Sequence, residues 1–278
     1  MRGSGYFVVM FFCFLAFMGS TEGDLQMGFY SKSCPNAEKI VQDYVNSHIH
    51  NAPSLAASIL RMHFHDCFVR VCVSRTNQTE KLAVPNSTLR GFDFIDRVKS
   101  LLEAACPGVV SCADVIALVA RDGVVATGGP SWRVHGRETD NLKNQLHNST
   151  ETFSTGLNLK DLVLLSGAHT IGVAHCTSFS NRLYNFTGVL GSQDPALDSE
   201  YAAVLKARNQ LLKRRGLFQS DSALTTNSTA LSLVNQLLQG SLKSFFAEFA
   251  RSMEKMGRIK VKTGKVGEIR KQCAVVNG

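Results

Sequence analysis

The segment Ser111–Thr127, SCADVIALVARDGVVAT, is apolar on nearly every side of a helix and stops at Gly128-Gly129-Pro130. A helix without a polar face must be buried all round. The rest of the chain therefore has to supply a jacket of elements around it, and the other periodicities are helical too. Ala37–Asn51 carries Ile40, Val41, Val45 and Ile49 at helical spacing. Pro53–Val69 reads as a second apolar helix, and Phe92–Ala105 as an amphipathic one that ends before Pro107. Lys160–Ser166 predicts a short helix ending at Gly167, and Ser228–Met256 two helices around Gly240. Strand-like runs are few and short, such as Arg258–Lys262. The expectation is an all-α domain.

Residues 1–23 have Arg2 in a short basic start, an apolar run over Tyr6–Met18, then small and polar residues. This is the pattern of a secretory signal peptide, cut near Gly23/Asp24. The competing reading is a membrane anchor, for which the run is short, and no later segment is long and apolar enough to span. Of eight cysteines, Cys13 leaves with the signal. Seven remain, so one thiol is left over if the rest pair in an oxidising compartment. The sequons at Asn77, Asn86, Asn148, Asn185 and Asn227 suit secretion. The net charge of +8 suits an anionic matrix polysaccharide as partner. Only 213–215 (KRR) is a basic cluster and no recognition motif accompanies it, so nucleic-acid binding is not expected.

The most unusual stretch is LRMHFHDCF, Leu60–Phe68. On a helix, residues four apart share a face and residues two apart diverge by about 200°. Arg61 and His65 therefore project together with Phe64 beside them, and His63 points elsewhere. Three readings compete: a buried helix whose polar groups are merely hydrogen-bonded; a zinc site built from His63, His65, Asp66 or Cys67; and acid–base chemistry with an arginine stabilising developing negative charge.

AASILRMHFHDCFVR resembles the distal haem-pocket signature of class III secretory plant peroxidases. RGFDFIDRVK, CPGVVSCADVIALVARD, GGPSW, DLVLLSGAHTIGVAHC, RLYNFTG, GLFQSD and GEIRKQC follow in the family's order over most of the mature chain. The resemblance implies a two-lobed helical haem peroxidase fold with haem between the lobes and very little β structure. The distal lobe would span about 24–155, the proximal lobe about 156–260, and a C-terminal segment would return to Cys112. It assigns His65 as distal base, Arg61 as charge stabiliser, Phe64 as the pocket's aromatic wall, and Asn86, linked to Glu80, as acceptor of the distal histidine's N–H. It makes His169 the ligand of haem b iron and Asp221 the carboxylate behind it. It also implies the disulfides Cys34–Cys106, Cys67–Cys72 and Cys112–Cys273, leaving Cys176 unpaired. The implied reaction is reduction of hydrogen peroxide to water by one-electron oxidation of phenolic donors. The enzyme would be a monomer in the extracellular space, the cell wall or the vacuole.

Three stretches depart from the family's pattern. The segment between LKA and RGLFQSD is short, which removes the partner of Cys176 and the acidic companions of Thr170 in a proximal Ca2+ site. Around and after Cys72 the chain reads VCVSRTNQTEK over residues 71–81. Asp66, the Val69 carbonyl and Glu80 fall at distal Ca2+ positions there, but Val71 stands where glycine is expected. A proline loop that lines the donor site is missing between GRETD and GLNLKDL. Losing carboxylates weakens a hard-cation site. The alternative function is thus a secreted peroxidase-like protein, weakly active or non-catalytic, with impaired haem and calcium sites; a zinc hydrolase is more distant.

Overall fold

The computed structural model describes residues 27–68, 86–136, 156–208, 217–259, 261, 267–273 and 277. The signal segment and the three departures from the family's pattern fall largely or wholly outside these residues. Ten α-helices are described: α1 (Ala37–Ile49), α2 (Pro53–Phe68), α3 (Phe92–Ala105), α4 (Cys112–Ala126), α5 (Leu159–Ser166), α6 (Ser180–Tyr184), α7 (Ser199–Arg208), α8 (Gln219–Thr226), α9 (Ser228–Gln239) and α10 (Leu242–Met256). Among the described residues no β element exceeds a single bridging residue, and no helix is long and apolar enough to cross a membrane.

The apolar segment is α4, and its burial is nearly complete. The Ser111 hydroxyl caps it by accepting the Asp114 N–H, which satisfies one of the amides a helix start leaves without a partner. The buried Asp114 carboxylate accepts the Tyr30 hydroxyl. Helices α1, α2 and α3 pack directly on α4. Val41, Val45 and Ile49 of α1, Ile59 and Met62 of α2, and Val98 and Leu102 of α3 meet Val115 and Val119 in one principal core. Burying each such side chain contributes about 1.5–3 kcal/mol.

That core also takes Leu157, Phe249, Met253 and Met256, so both halves of the chain build it. Helix α10 is fixed to α5 through the buried Asp161, whose carboxylate accepts the Ser252 hydroxyl at 2.8 Å and the Lys255 ammonium at 3.0 Å. A second, smaller core gathers Phe179, just before α6, with Leu183, Leu197, Tyr201, Ala202 and Leu205 from α6, α7 and the segment between them. Disulfides join Cys34 to Cys106 and Cys112 to Cys273. With sequence separations of 72 and 161, they restrict the unfolded chain by about 4 and 5 kcal/mol in the loop-entropy model.

One local expectation changes and one gains a physical reason. Arg258–Lys262 does not begin as a strand. The amides of Arg258 and Ile259 donate to the carbonyls of Lys255 and Met256, extending α10 by a turn that tucks Ile259 into the core. Helix α5 ends at Ser166 with Gly167 as its C-cap, as expected, but not by a left-handed turn. Its φ of −58° is helical and the chain continues as a 3-10 turn, Gly167–Thr170. Glycine is needed there for space, since a Cβ would lie 2.6 Å from Cζ of Phe245.

Candidate functional site

Helix α2 sorts its polar groups by face, as the spacing predicts. His63 is buried toward a small cleft that Trp132, His135 and Glu254 also line. Burial holds its imidazole down at a pKa of about 4, so it is neutral over most of the pH range. On the other face His65 Nδ1 lies 2.8 Å from Asn86 Oδ1. An amide oxygen only accepts, so Nδ1 carries the proton and Nε2 keeps its lone pair. Burial lowers the His65 pKa, the bond to Asn86 opposes this, and the Arg61 charge lowers it further. The Arg61 guanidinium donates through Nη2 to Thr88 Oγ1 at 2.9 Å and through Nη1 to the Thr88 carbonyl at 3.4 Å. Phe64 stands 44% exposed beside them, with its ring edge toward His65 at 5.8 Å. A base with a free lone pair, a fixed cation and an uncovered aromatic wall thus share one face.

His169 lies on the 3-10 turn that prolongs α5, and its side chain is 43% exposed. Its Nδ1 is 2.7 Å from Asp221 Oδ1. The other carboxylate oxygen accepts the Phe218 amide at 3.0 Å and closes the first turn of α8. The Phe218 ring stands edge-on to the imidazole, 5.0 Å between centroids. Three residues further on, Gly172 has φ +89° and sits against α2, where a Cβ would come 2.6 Å from Cβ of Ala57. Both the backbone conformation and the close approach demand glycine. This contact brings the His169 segment against the helix that carries Arg61 and His65.

These residues fit haem by the chemistry of their donors. An imidazole with Nδ1 committed to a carboxylate offers Nε2 as a strong, oriented metal ligand, and His169 is exposed enough to use it. Among the calcium candidates, Asp66 is half-buried and the Thr170 hydroxyl donates to the Gly167 carbonyl at 2.8 Å. Val69, Val71 and Glu80 lie outside the described residues, as does Cys72, the expected partner of Cys67. Among the described residues no three His, Cys, Asp or Glu side chains gather as a metal site. Cys176 is exposed and unpaired. Sequence reasoning missed Thr88, which anchors Arg61. The only available signal was its place two residues after Asn86.

Comparison with known proteins gives the family. The family model described as peroxidase matches residues 41–240. The chain is 55% identical to Peroxidase 3 of Arabidopsis thaliana, covering 96% of each chain. It is 55% identical to Peroxidase 39 of the same plant, covering 92% of this chain and 94% of that one. A solved structure, a Leishmania major pseudoperoxidase, matches 81% of this chain and 94% of its own at 18% identity with a TM-score of 0.49. The chain belongs to the peroxidase family, within the class III plant enzymes. It is a peroxidase, and the non-catalytic alternative is not favoured. The alignment with Peroxidase 3 runs over 314 positions, more than the 278 residues of this chain, so that relative has stretches without counterpart here.

Proposed function

We propose that this protein reduces hydrogen peroxide with His65 as the proton carrier, Arg61 as the charge stabiliser and His169 as the ligand that holds haem b. The observation that supports this best is the contrast between the two histidines. Each commits its Nδ1, but His65 to a neutral amide and His169 to a carboxylate. The amide leaves a base free to accept and return a proton. The carboxylate makes its imidazole electron-rich, as suits a metal ligand. Bound haem would supply the iron at which the O–O bond is broken and the electrons are relayed. His65 Nε2 takes the proton from one peroxide oxygen and delivers it to the other, whose departure as water needs it. The Arg61 charge favours the separating negative charge. In the full cycle, peroxide accepts two electrons and two protons to give two waters. Two phenolic donors each give up one electron and one proton.

The proposal extends to an enzyme secreted to the extracellular space, the cell wall or the vacuole, monomeric, and attracted by its basic surface to anionic wall polysaccharide. Ca2+, general in the family, would be held weakly.

The test is an absorption spectrum of the refolded, haem-loaded chain before and after one equivalent of hydrogen peroxide. A ferric Soret band that changes within the mixing time and returns on adding a phenol is expected. No stable band, or one indifferent to peroxide, would overturn the reading.

A further inference from the structure

The RLYNFTG stretch contributes Arg182, a fully buried cation in the smaller core and outside the site just described. Its Nε donates to Oδ2 of the buried Asp194 at 2.7 Å, and the Asp194 amide returns a bond to the Arg182 carbonyl at 2.8 Å. Its remaining nitrogens reach out of α6. Nη1 donates to the Leu217 carbonyl at 2.7 Å and Nη2 to the Ser222 hydroxyl at 2.5 Å. Leu217 and Ser222 bracket Phe218 and Asp221, the two residues that touch His169. Helix α8 is only eight residues long and largely exposed, so its own packing fixes little.

We infer that Arg182 is the positioning residue of the proximal histidine: it clamps both ends of 217–222 and so aims the Asp221 carboxylate at His169 Nδ1. The inference rests on the proposed role of His169 and Asp221 toward haem. A planar guanidinium suits the task because its donors are rigidly splayed. One edge is neutralised by Asp194, and the other two donors span a carbonyl and a hydroxyl five residues apart.

Two readouts test it on the full mature chain. In the haem-free protein, the hydrogen-bonded Nδ1–H of His169 is followed by proton NMR, with His169→Ala to assign it. In the haem-loaded protein, the iron midpoint potential is measured. Asp221→Asn is the reference, expected to weaken the N–H signal and raise the potential. Arg182→Met combined with Asp194→Asn avoids a buried unpaired carboxylate, and Ser222→Ala removes one clamp bond without touching the charge. Both are expected to fold, to lose part or all of the N–H signal, and to raise the potential toward the Asp221→Asn value. Arg182→Lys, which keeps the charge but not the fork, should fall between. If Ser222→Ala and the double variant keep the wild-type N–H signal and potential, the clamp is overturned while the proximal reading stands. If Asp221→Asn itself changes neither readout, the proximal reading fails and the clamp with it. Should the double variant not fold, Ser222→Ala decides alone.

Discussion

The two histidines stand on very different ground. His65 sits on a sixteen-residue helix pressed into the principal core, and its partners on residues 86–88 are reached by side chains already fixed by packing. His169 sits on a four-residue 3-10 turn whose Ala168, with Ile171 just after it, packs against the core, but its imidazole is aimed by polar groups: Asp221, the α8 cap and the Arg182 clamp. Hydrophobic burial is many-sided and insensitive to one lost contact. A chain of single hydrogen bonds is interrupted by one. On the proposed reading, the His65 face is set by packing, whereas the His169 face gains from whatever binds it, because a ligand that prefers the folded state adds stability as RT ln(1 + L/Kd), with L its free concentration.

The largest expected effect breaks function without breaking the distal half. His65→Leu should slow the reaction with peroxide by about 10²–10⁴-fold in stopped-flow, with the thermal midpoint and haem retention near wild type. Haem loss instead would show that the distal face is not preformed. Next comes the pH dependence of the core itself. His63 stays neutral in the fold down to about pH 4, whereas an unfolded histidine protonates near 6.5. The unfolded state therefore binds more protons between these values, and stability falls as pH drops from roughly 6.5 to 4, by at most about 3 kcal/mol. Denaturant melts of His63→Gln should show that slope flattened, and an unchanged slope would place the acid-sensitive group elsewhere. Asp221→Asn should speed haem transfer to apomyoglobin by about 10–100-fold with little change in the haem-free melting curve; equal loss in both would erase the contrast between the halves. Smallest is Thr88→Val, which removes one acceptor from Arg61 and should lower the peroxide rate two- to tenfold, leaving His65 titration intact.

What could be read from the chain follows the same division. Helices α1 to α4 were legible because ten or more residues of 3.6 period, or an unbroken apolar run, leave few alternatives. Helices α6, α7 and α8 were not anticipated. In five to ten residues a period hardly repeats, and α7 buries Tyr201, Ala202 and Leu205 without a recognisable stripe. Gly167 marked the end of the α-helix correctly but for another reason than a left-handed turn: it makes room for Phe245. The roles of His65, Asn86, His169 and Asp221 came from family resemblance, since one histidine on a helix says nothing by itself. Thr88, Arg182 and Ser222 escaped notice because their bonds join residues 27 and 40 positions apart, which only the folded chain brings together.

Asn86, Ser87 and Thr88 spell a glycosylation sequon, yet Asn86 is 1% exposed with its amide on His65, and Thr88 holds Arg61. A glycan would be carried on Asn86 Nδ2 and not on the Oδ1 that faces His65, but the burial of this side chain leaves no room for one. For a chain entering the secretory lumen, folding and oligosaccharide transfer then race for one side chain. A molecule that takes a glycan at position 86 cannot bury that side chain against His65 as it lies here.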